Sequence, residues 1–207
     1  MNRINAGVGP DSLEGVAGNR GSSPMAGAEL DCTQAYGTLW GMKANTLRHA
    51  LNFWPPFLFS GVHVTALTDD YRHARVELRM RPWNRNYVGT HFGGSLFAMT
   101  DPFWMLLVMQ SLGRDYIVWD KAGAIDFIKP GRGTVHARFD LDDATLDELR
   151  EATASGAKTL RWFETEVIDA AGDVVARMRK QLYIRRKPPA ETPRKPMAQS
   201  AEAGPLA

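Results

Sequence analysis

The chain has 207 residues, with 25 Lys and Arg against 23 Asp and Glu, and 44% of its residues are hydrophobic. This length predicts one large domain or two small ones, and the near-neutral charge argues against a nucleic-acid binder that relies on overall basicity. The single cysteine, Cys32, excludes a disulfide framework and a cysteine-built zinc site. Because the sequence shows neither a membrane-spanning apolar run nor a secretory signal, we expect a cytoplasmic globular protein.

Two terminal segments differ in composition from the middle of the chain. Residues 1–36 are rich in Gly, Ser, Ala, Asn and Asp and poor in large apolar residues, so we expect them to be disordered. Residues 185–207 form a basic tail rich in Pro and Ala, which we also expect to be disordered. The remaining core, 37–184, is long enough to bury its own hydrophobic interior, which predicts a single domain.

The predicted elements begin with a helical segment at 37–56. Leu47, Leu51 and Trp54 follow the spacing of one helix face, and Pro55 is expected to end the helix. Apolar and polar residues then alternate in two short stretches, which predicts two strands joined by a turn. These strands include residues 62–64 and 74–80.

The middle of the core contains one long apolar stretch, Ser95 to Leu112, closed by Gly113. Its length predicts one buried helix rather than a strand. After it, alternation and turn residues predict four more strands and a short polar helix with acidic residues in its first turn. The predicted strands cover 116–129, 135–141, 157–168 and 174–184, and the helix covers 142–154.

This order of elements predicts an α+β fold in which an antiparallel sheet packs on one unusually apolar helix. A helix that is hydrophobic nearly all round needs cover on every side. We therefore expect a curved sheet to wrap around the helix and a partner subunit to close the open side.

The start of the apolar stretch carries a motif in which Asn86 opens a loop, Gly93 and Gly94 begin the helix, and Asp101 follows eight positions after Gly93. Gly89 lies between Asn86 and the glycine pair. This motif resembles that of the hotdog-fold acyl-CoA thioesterases, in particular the phenylacetyl-CoA thioesterase-like branch. Many members of that branch have His directly before the glycine pair. This chain differs there, because it has Phe at position 92 and its histidine one position earlier.

The resemblance implies a hotdog fold, a curved antiparallel sheet wrapped around a central apolar helix. It also implies hydrolysis of an acyl-CoA to a free acid and coenzyme A by a homodimer or homotetramer. Neither a metal nor a separate cofactor is implied, since coenzyme A is part of the substrate.

Two kinds of group are expected to carry the chemistry. Thioester hydrolysis requires hydrogen-bond donors where negative charge develops on the carbonyl oxygen, and Gly93 and Gly94 offer free N–H groups at a helix N-terminus. Tight helix–sheet packing is the alternative role for this pair. Asp101 is expected to act as general base or nucleophile, and a structural ion pair or hydrogen bond across a subunit interface is its alternative role.

Helix geometry adds a condition on how these groups meet. Asp101 lies seven residues beyond Gly94, so along one helix the two are roughly 10 Å apart. Both must act within about 3 Å of the reacting group. We therefore expect a site that combines the glycines of one subunit with Asp101 of another, as the resemblance also implies.

Further residues complete the predicted site. Asn86 is expected to orient the attacking water or hold Asp101 of the partner, with a loop cap as its alternative role. Asp120 is expected to contact the catalytic residues rather than the substrate. Lys129 and Arg132 lie in a turn that resembles the basic turn of the family, which suggests contact with the phosphates of coenzyme A; solvated surface charge is the alternative role of each. Core packing is the alternative role of the predicted acyl-binding residues, which are aromatic or Met side chains: Phe92, Phe97, Trp104 and Met105.

Two other functions fit the same sequence. The first is a non-catalytic hotdog module that binds an acyl-CoA or a fatty acid. The second is a structural oligomer in which Asp101 is an interface residue. Substitution of Asp101 separates the three, because only the enzyme would lose turnover while it still folds and assembles.

Overall fold

The protein is described by a computed structural model that covers residues 41–188. The predictions of disorder for 1–36 and for the tail beyond 188 lie outside the described residues. The helices are α1 (Ala44–Phe53), α2 (Pro55–Ser60), α3 (Gly93–Ala98), α4 (Phe103–Leu112) and α5 (Asp143–Ala152). The strands are β1 (Val62–Leu67), β2 (His73–Leu78), β3 (Tyr116–Phe127), β4 (Val135–Asp140), β5 (Lys158–Ile168) and β6 (Val174–Arg186).

The six strands form one antiparallel sheet in the order β1-β2-β4-β5-β6-β3. Strand β3, with 12 residues, is the edge strand at one end of this sheet. Its pairing with β6 is interrupted by a bulge between Asp120 and Ala122. The predicted α+β class with an antiparallel sheet is confirmed.

The core lies between the sheet and helix α4, whose aromatic residues contact several elements at once. The ring of Phe103 stacks on Phe139 of β4 with centroids 4.9 Å apart and on Phe57 of α2 at 6.1 Å. The ring of Trp104 stacks on Phe163 of β5 at 4.7 Å. These contacts hold the central helix against the strands that follow it in the sheet.

The predicted central helix, Ser95 to Leu112, is interrupted in the structure. Helices α3 and α4 are separated by a turn over residues 99–102. Pro102 has no N–H and so cannot continue the ladder to the carbonyl of Ala98. That carbonyl instead accepts a hydrogen bond of 3.2 Å from the N–H of Asp101, one residue earlier. Asp101 therefore lies in a turn between two helices.

Smaller differences from the predicted boundaries also have local causes. Pro55 ends α1 as expected, yet it also begins α2, because a proline is well suited to the first turn of a helix. Helix α5 matches its prediction, since Asp142 caps it by accepting a hydrogen bond of 2.7 Å from the N–H of Thr145. Strand β6 continues to Arg186, so the prediction that the disordered tail begins at 185 is wrong for its first two residues, which pair with β3 in the sheet. Within residues 41–188, no helix is both long enough and apolar enough to cross a membrane.

Candidate active site

The loop that precedes α3 is held together by Asn86. Its side-chain Oδ1 accepts hydrogen bonds from the N–H groups of Val88 and Thr90, at 3.2 and 3.0 Å. Its Nδ2 donates to Oγ1 of Thr90 and to the carbonyl of His91. Both ends of the amide are thus used inside the loop, which agrees with the loop-cap role rather than with the orientation of a water molecule.

His91 attaches this loop to the turn that follows β3. Its N–H donates to the carbonyl of Gly131 at 3.0 Å, and its Nε2 lies 2.7 Å from the carbonyl of Gly133. The ring is buried, and its Nδ1 has no hydrogen-bond partner among residues 41–188. Burial lowers the pKa of the His91 imidazole, although the bond to Gly133 opposes this shift. His91 therefore supports the loop as a neutral side chain.

This burial predicts a pH-dependent stability. An unfolded chain with an ordinary histidine takes up a proton below about pH 6.5, whereas folded His91 resists it, so the free energy of unfolding should fall as the pH falls below that value. One such proton contributes at most about 1.4 kcal/mol per pH unit. Denaturant titrations between pH 7 and 5 should show a smaller loss for His91→Gln than for the native chain. An equal loss in the two proteins would contradict the prediction.

The glycine pair begins α3 with its N–H groups unused. Neither the N–H of Gly93 nor that of Gly94 donates a hydrogen bond within residues 41–188. The ring of Phe127, at the end of β3, lies over Gly93, where an added Cβ would be 2.9 Å from it. The exposed ring of Phe92 lies beside Gly94 in the same way. The pair thus combines free donors with close aromatic neighbours.

Asp101 is less buried than its apolar sequence surroundings predicted. About 47% of its side chain is exposed in the single chain, because it lies in the turn between α3 and α4. Its Oδ1 accepts a hydrogen bond of 2.5 Å from Nζ of Lys180, on β6. Its Oδ2 makes no hydrogen bond or ion pair within the described residues. One oxygen of the carboxylate is held, and the other is free.

Asp120 lies on the other side of the same ammonium group. Its Oδ2 is 3.2 Å from Nζ of Lys180, and its Oδ1 is buried without a partner in the described part of the chain. Burial raises the pKa of the Asp120 carboxyl, and the positive charge of Lys180 partly offsets this effect. The predicted placement of Asp120 behind Asp101 thus corresponds to a shared contact with Lys180.

Lys180 is the site residue that the sequence reasoning missed. Strand β6 alternates apolar inward residues with polar outward ones, and position 180 falls on the inward face between Met178 and Leu182. A lysine at an inward position of an otherwise apolar alternation was the available signal, because such a charge requires a partner. The ring of Phe97 covers it from α3, with its centroid 5.5 Å from Nζ.

The two predicted phosphate-binding cations differ in their surroundings. Nζ of Lys129 lies 2.7 Å from Asp169 and 2.6 Å from Asp173, in the turn between β5 and β6. Arg132 is exposed and makes no hydrogen bond or ion pair with the described residues. Its Nη1 is 4.0 Å from the position that a Cβ on Gly89 would occupy. Arg132 is therefore available to an anion beside the Asn86 loop, whereas Lys129 is already paired.

The predicted acyl-binding residues do not share one environment. Trp104 is buried in the core, and its Nε1 donates a hydrogen bond of 2.7 Å to Oγ1 of Thr165, so it lines no open surface of the single chain. Phe97 and Met105 are half-buried, whereas Phe92 is exposed. No group of three or more His, Cys, Asp or Glu side chains able to hold a metal ion is found over 41–188.

Comparison with known protein families assigns this chain to one of them. Residues 43–184 match the family described as a domain of unknown function, DUF4442. The chain belongs to the DUF4442 family. The matched segment includes all six strands except the last two residues of β6, and it contains the Asn86 loop, the glycine pair, Asp101 and Lys180. No curated protein matches this DUF4442 chain.

Solved structures identify the fold of this DUF4442 member. A protein of unknown function from Pseudomonas aeruginosa, described as a probable thioesterase, is 20% identical with a TM-score of 0.63, over 71% of this chain and 98% of its own. A thioesterase from Haemophilus influenzae is 13% identical with a TM-score of 0.52, over 70% and 92%. A protein of unknown function from Chlorobaculum tepidum is 16% identical with a TM-score of 0.55, over 70% and 98%. The predicted hotdog fold is confirmed, and in its fold the chain resembles solved structures described as thioesterases.

Proposed function

We propose that this protein hydrolyses an acyl-CoA thioester to a free carboxylic acid and coenzyme A. The observation that carries the proposal is the Asp101 carboxylate, which has one oxygen fixed by a buried ammonium and the other free and partly exposed. A carboxylate presented in this way can accept a proton from water or attack a carbonyl carbon. The names of the hotdog relatives, which include thioesterases, support the same class of reaction.

The reaction proceeds at the thioester carbonyl. In one route, Asp101 accepts a proton from water, the water oxygen bonds to the carbonyl carbon, and the C–S bond breaks to release the coenzyme A thiolate. In the other, Asp101 attacks the carbon directly, and water then hydrolyses the resulting anhydride. The free N–H groups of Gly93 and Gly94 would stabilise the negative charge on the carbonyl oxygen in both routes.

The proposed site lies between two subunits. Asp101 lies beyond the C-terminal end of α3, whereas the free N–H groups lie at its beginning, so a second copy must bring the two kinds of group together. The edge strand β3 supports this arrangement, because its outer side pairs with no other strand of residues 41–188 and so offers a row of backbone groups to a second copy. A homodimer, or a homotetramer built from two of them, is the proposed assembly.

Substrate contacts follow from the exposed residues near these groups. Arg132 would bind a phosphate of coenzyme A, since it is the predicted cation without an acidic partner among the described residues. Phe92, Phe97 and Met105 would contact the acyl group, because all three have surface left to bury. Trp104 would support this region from the core.

One assay tests the proposed function directly. Release of coenzyme A is followed for the native protein with short, long and aromatic acyl-CoAs, and binding of a non-hydrolysable thioether analogue is measured in parallel. Turnover of at least one class supports the enzyme. Tight binding of the analogue without turnover would instead favour the non-catalytic module. Absence of both turnover and binding would favour the structural oligomer in which Asp101 is an interface residue.

Mixed assemblies test the intersubunit arrangement. Asp101→Asn removes the carboxylate, and Gly93→Pro removes an N–H, so each variant alone should be inactive. When equal amounts are co-assembled, about half of the dimers contain both variants, and each mixed dimer has one site with both defects and one with neither. Recovery of about a quarter of the native rate is therefore expected. Each variant taken alone through the same procedure is the control, and an active monomer or a mixture without recovery would contradict the arrangement.

A further inference from the structure

The inward face of β6 holds one ammonium group between two carboxylates. Nζ of Lys180 lies 2.5 Å from Oδ1 of Asp101 and 3.2 Å from Oδ2 of Asp120. Only 4% of the lysine side chain is exposed. These three residues come from β6, the turn between α3 and α4, and the edge strand β3, so the cluster exists only in the folded chain.

Packing alone gives no reason for a lysine at this position. Its neighbours along the inward face are Met178 and Leu182, and an apolar side chain of the same length would fill the space without desolvation of a charge. Buried ion pairs are often no more stabilising than apolar residues of similar volume. The charge of Lys180 therefore calls for an explanation in what it does to its partners.

The geometry of the ion pair between Lys180 and Asp101 gives an explanation for this charge. Lys180 binds only one oxygen of Asp101 and leaves Oδ2 without a partner among the described residues. The side chain of Lys180 has little freedom to move, since it is buried and its ammonium lies beside the ring of Phe97. The contact thus sets the rotation of the carboxylate and decides which oxygen remains available.

We propose that Lys180 is a positioning residue that fixes Asp101 with Oδ2 free to react, and that Asp120 shares the positive charge of Lys180 with Asp101. This inference rests on the proposed thioester hydrolysis. A carboxylate that has an ammonium to itself is in general a weaker base, because the positive charge stabilises its charged form. A second carboxylate on the same ammonium opposes that effect.

The charges that face Lys180 are few. The turn between α3 and α4 contributes Asp101 and β3 contributes Asp120, whereas α3 contributes the uncharged ring of Phe97 and β5 the uncharged ring of Phe163, which is paired with Lys180 in register. No other acidic group within residues 41–188 lies within ion-pair distance of it. The higher pKa that burial gives Asp120 agrees with a carboxylate that depends on this one cation.

Two substitutions test the inference because their effects on the pH profile have opposite signs. Lys180→Met removes the cation and leaves Asp101 facing a second negative charge, so activity should fall off at a higher pH on the acid side, by about one to three units. Its kcat should fall about a hundredfold because the carboxylate is no longer oriented, with little change in KM. Asp120→Asn keeps the shape of the side chain but removes its charge, so the acid limb should move to lower pH.

The outcomes separate this inference from the proposed function. If the native protein hydrolyses acyl-CoAs and Lys180→Met keeps both its kcat and its acid limb, the inference is wrong while the function stands. The same holds if both variants shift the limb in one direction. Should Lys180→Met fail to fold, the double variant Lys180→Met, Asp120→Asn replaces it, with lower kcat expected and native kcat as the contradicting result. If the native protein hydrolyses no acyl-CoA, the proposed function and this inference are both wrong.

Discussion

Asp101→Asn is expected to lower kcat for coenzyme A release by about a thousandfold, in the middle of the range for loss of a general base. The amide has nearly the same size, and its oxygen can still accept the hydrogen bond from Lys180. It can neither take a proton from water nor attack the thioester. KM should change little, because Asp101 is proposed to act on the reacting atoms rather than to hold the coenzyme.

A matched control lies in the edge strand. Asp126→Asn makes the same chemical change and the same change of net charge at an exposed position of β3 that is paired in register with Arg177. It should leave kcat within about twofold. Thermal unfolding and sedimentation of both variants would show whether folding and assembly are intact. A folded, assembled Asp101→Asn protein with more than about a tenth of the native rate would rule out this carboxylate as base or nucleophile.

Gly93→Pro is expected to lower kcat by about a hundredfold to a thousandfold more than Gly93→Ala, as for loss of one oxyanion donor. Both variants add a Cβ at the same place, where it meets the ring of Phe127 at 2.9 Å. That ring is exposed and can rotate away. Only proline also removes the N–H, so the difference between the two variants measures the donor and not the crowding.

The backbone suits this comparison. Gly93 is the first residue of α3, a position where proline is well tolerated, and the preceding Phe92 has φ −64° and ψ 128°, the extended conformation that a following proline requires. Both variants should therefore fold, as circular dichroism and sedimentation can verify. Equal rates for the two would mean that the glycine pair serves packing alone.

Most of the fold could be predicted because its helices and strands depend on local patterns of residues. Alternation of apolar and polar residues places β2, β4, β5 and β6 within a few residues of their observed bounds, and the cap at Asp142 places α5. Their order along the chain then restricts the architecture to an antiparallel sheet around a central helix. The sequence motif from Asn86 to Asp101 then indicates the hotdog fold among the folds with this architecture.

The candidate site could be predicted only in part, because its contacts join residues distant in sequence. The pairing of Asp101 with Lys180 spans 79 positions, and that of Lys129 with Asp173 spans 44. No periodicity within one element reports such contacts. The break in the central helix was local, since Pro102 marks it, but its consequence was not: it moves Asp101 out of the apolar interior to a half-exposed position.

The turn between α3 and α4 has an evolutionary consequence. Asp101 lies outside both helices, but its side chain forms an ion pair with Lys180, which is buried on the inward face of β6. A neutral residue at position 101 would leave Asp120 as the partner of this buried ammonium within the described residues, at a cost in stability. In a lineage with this turn, positions 101 and 180 are therefore expected to change together while the architecture persists.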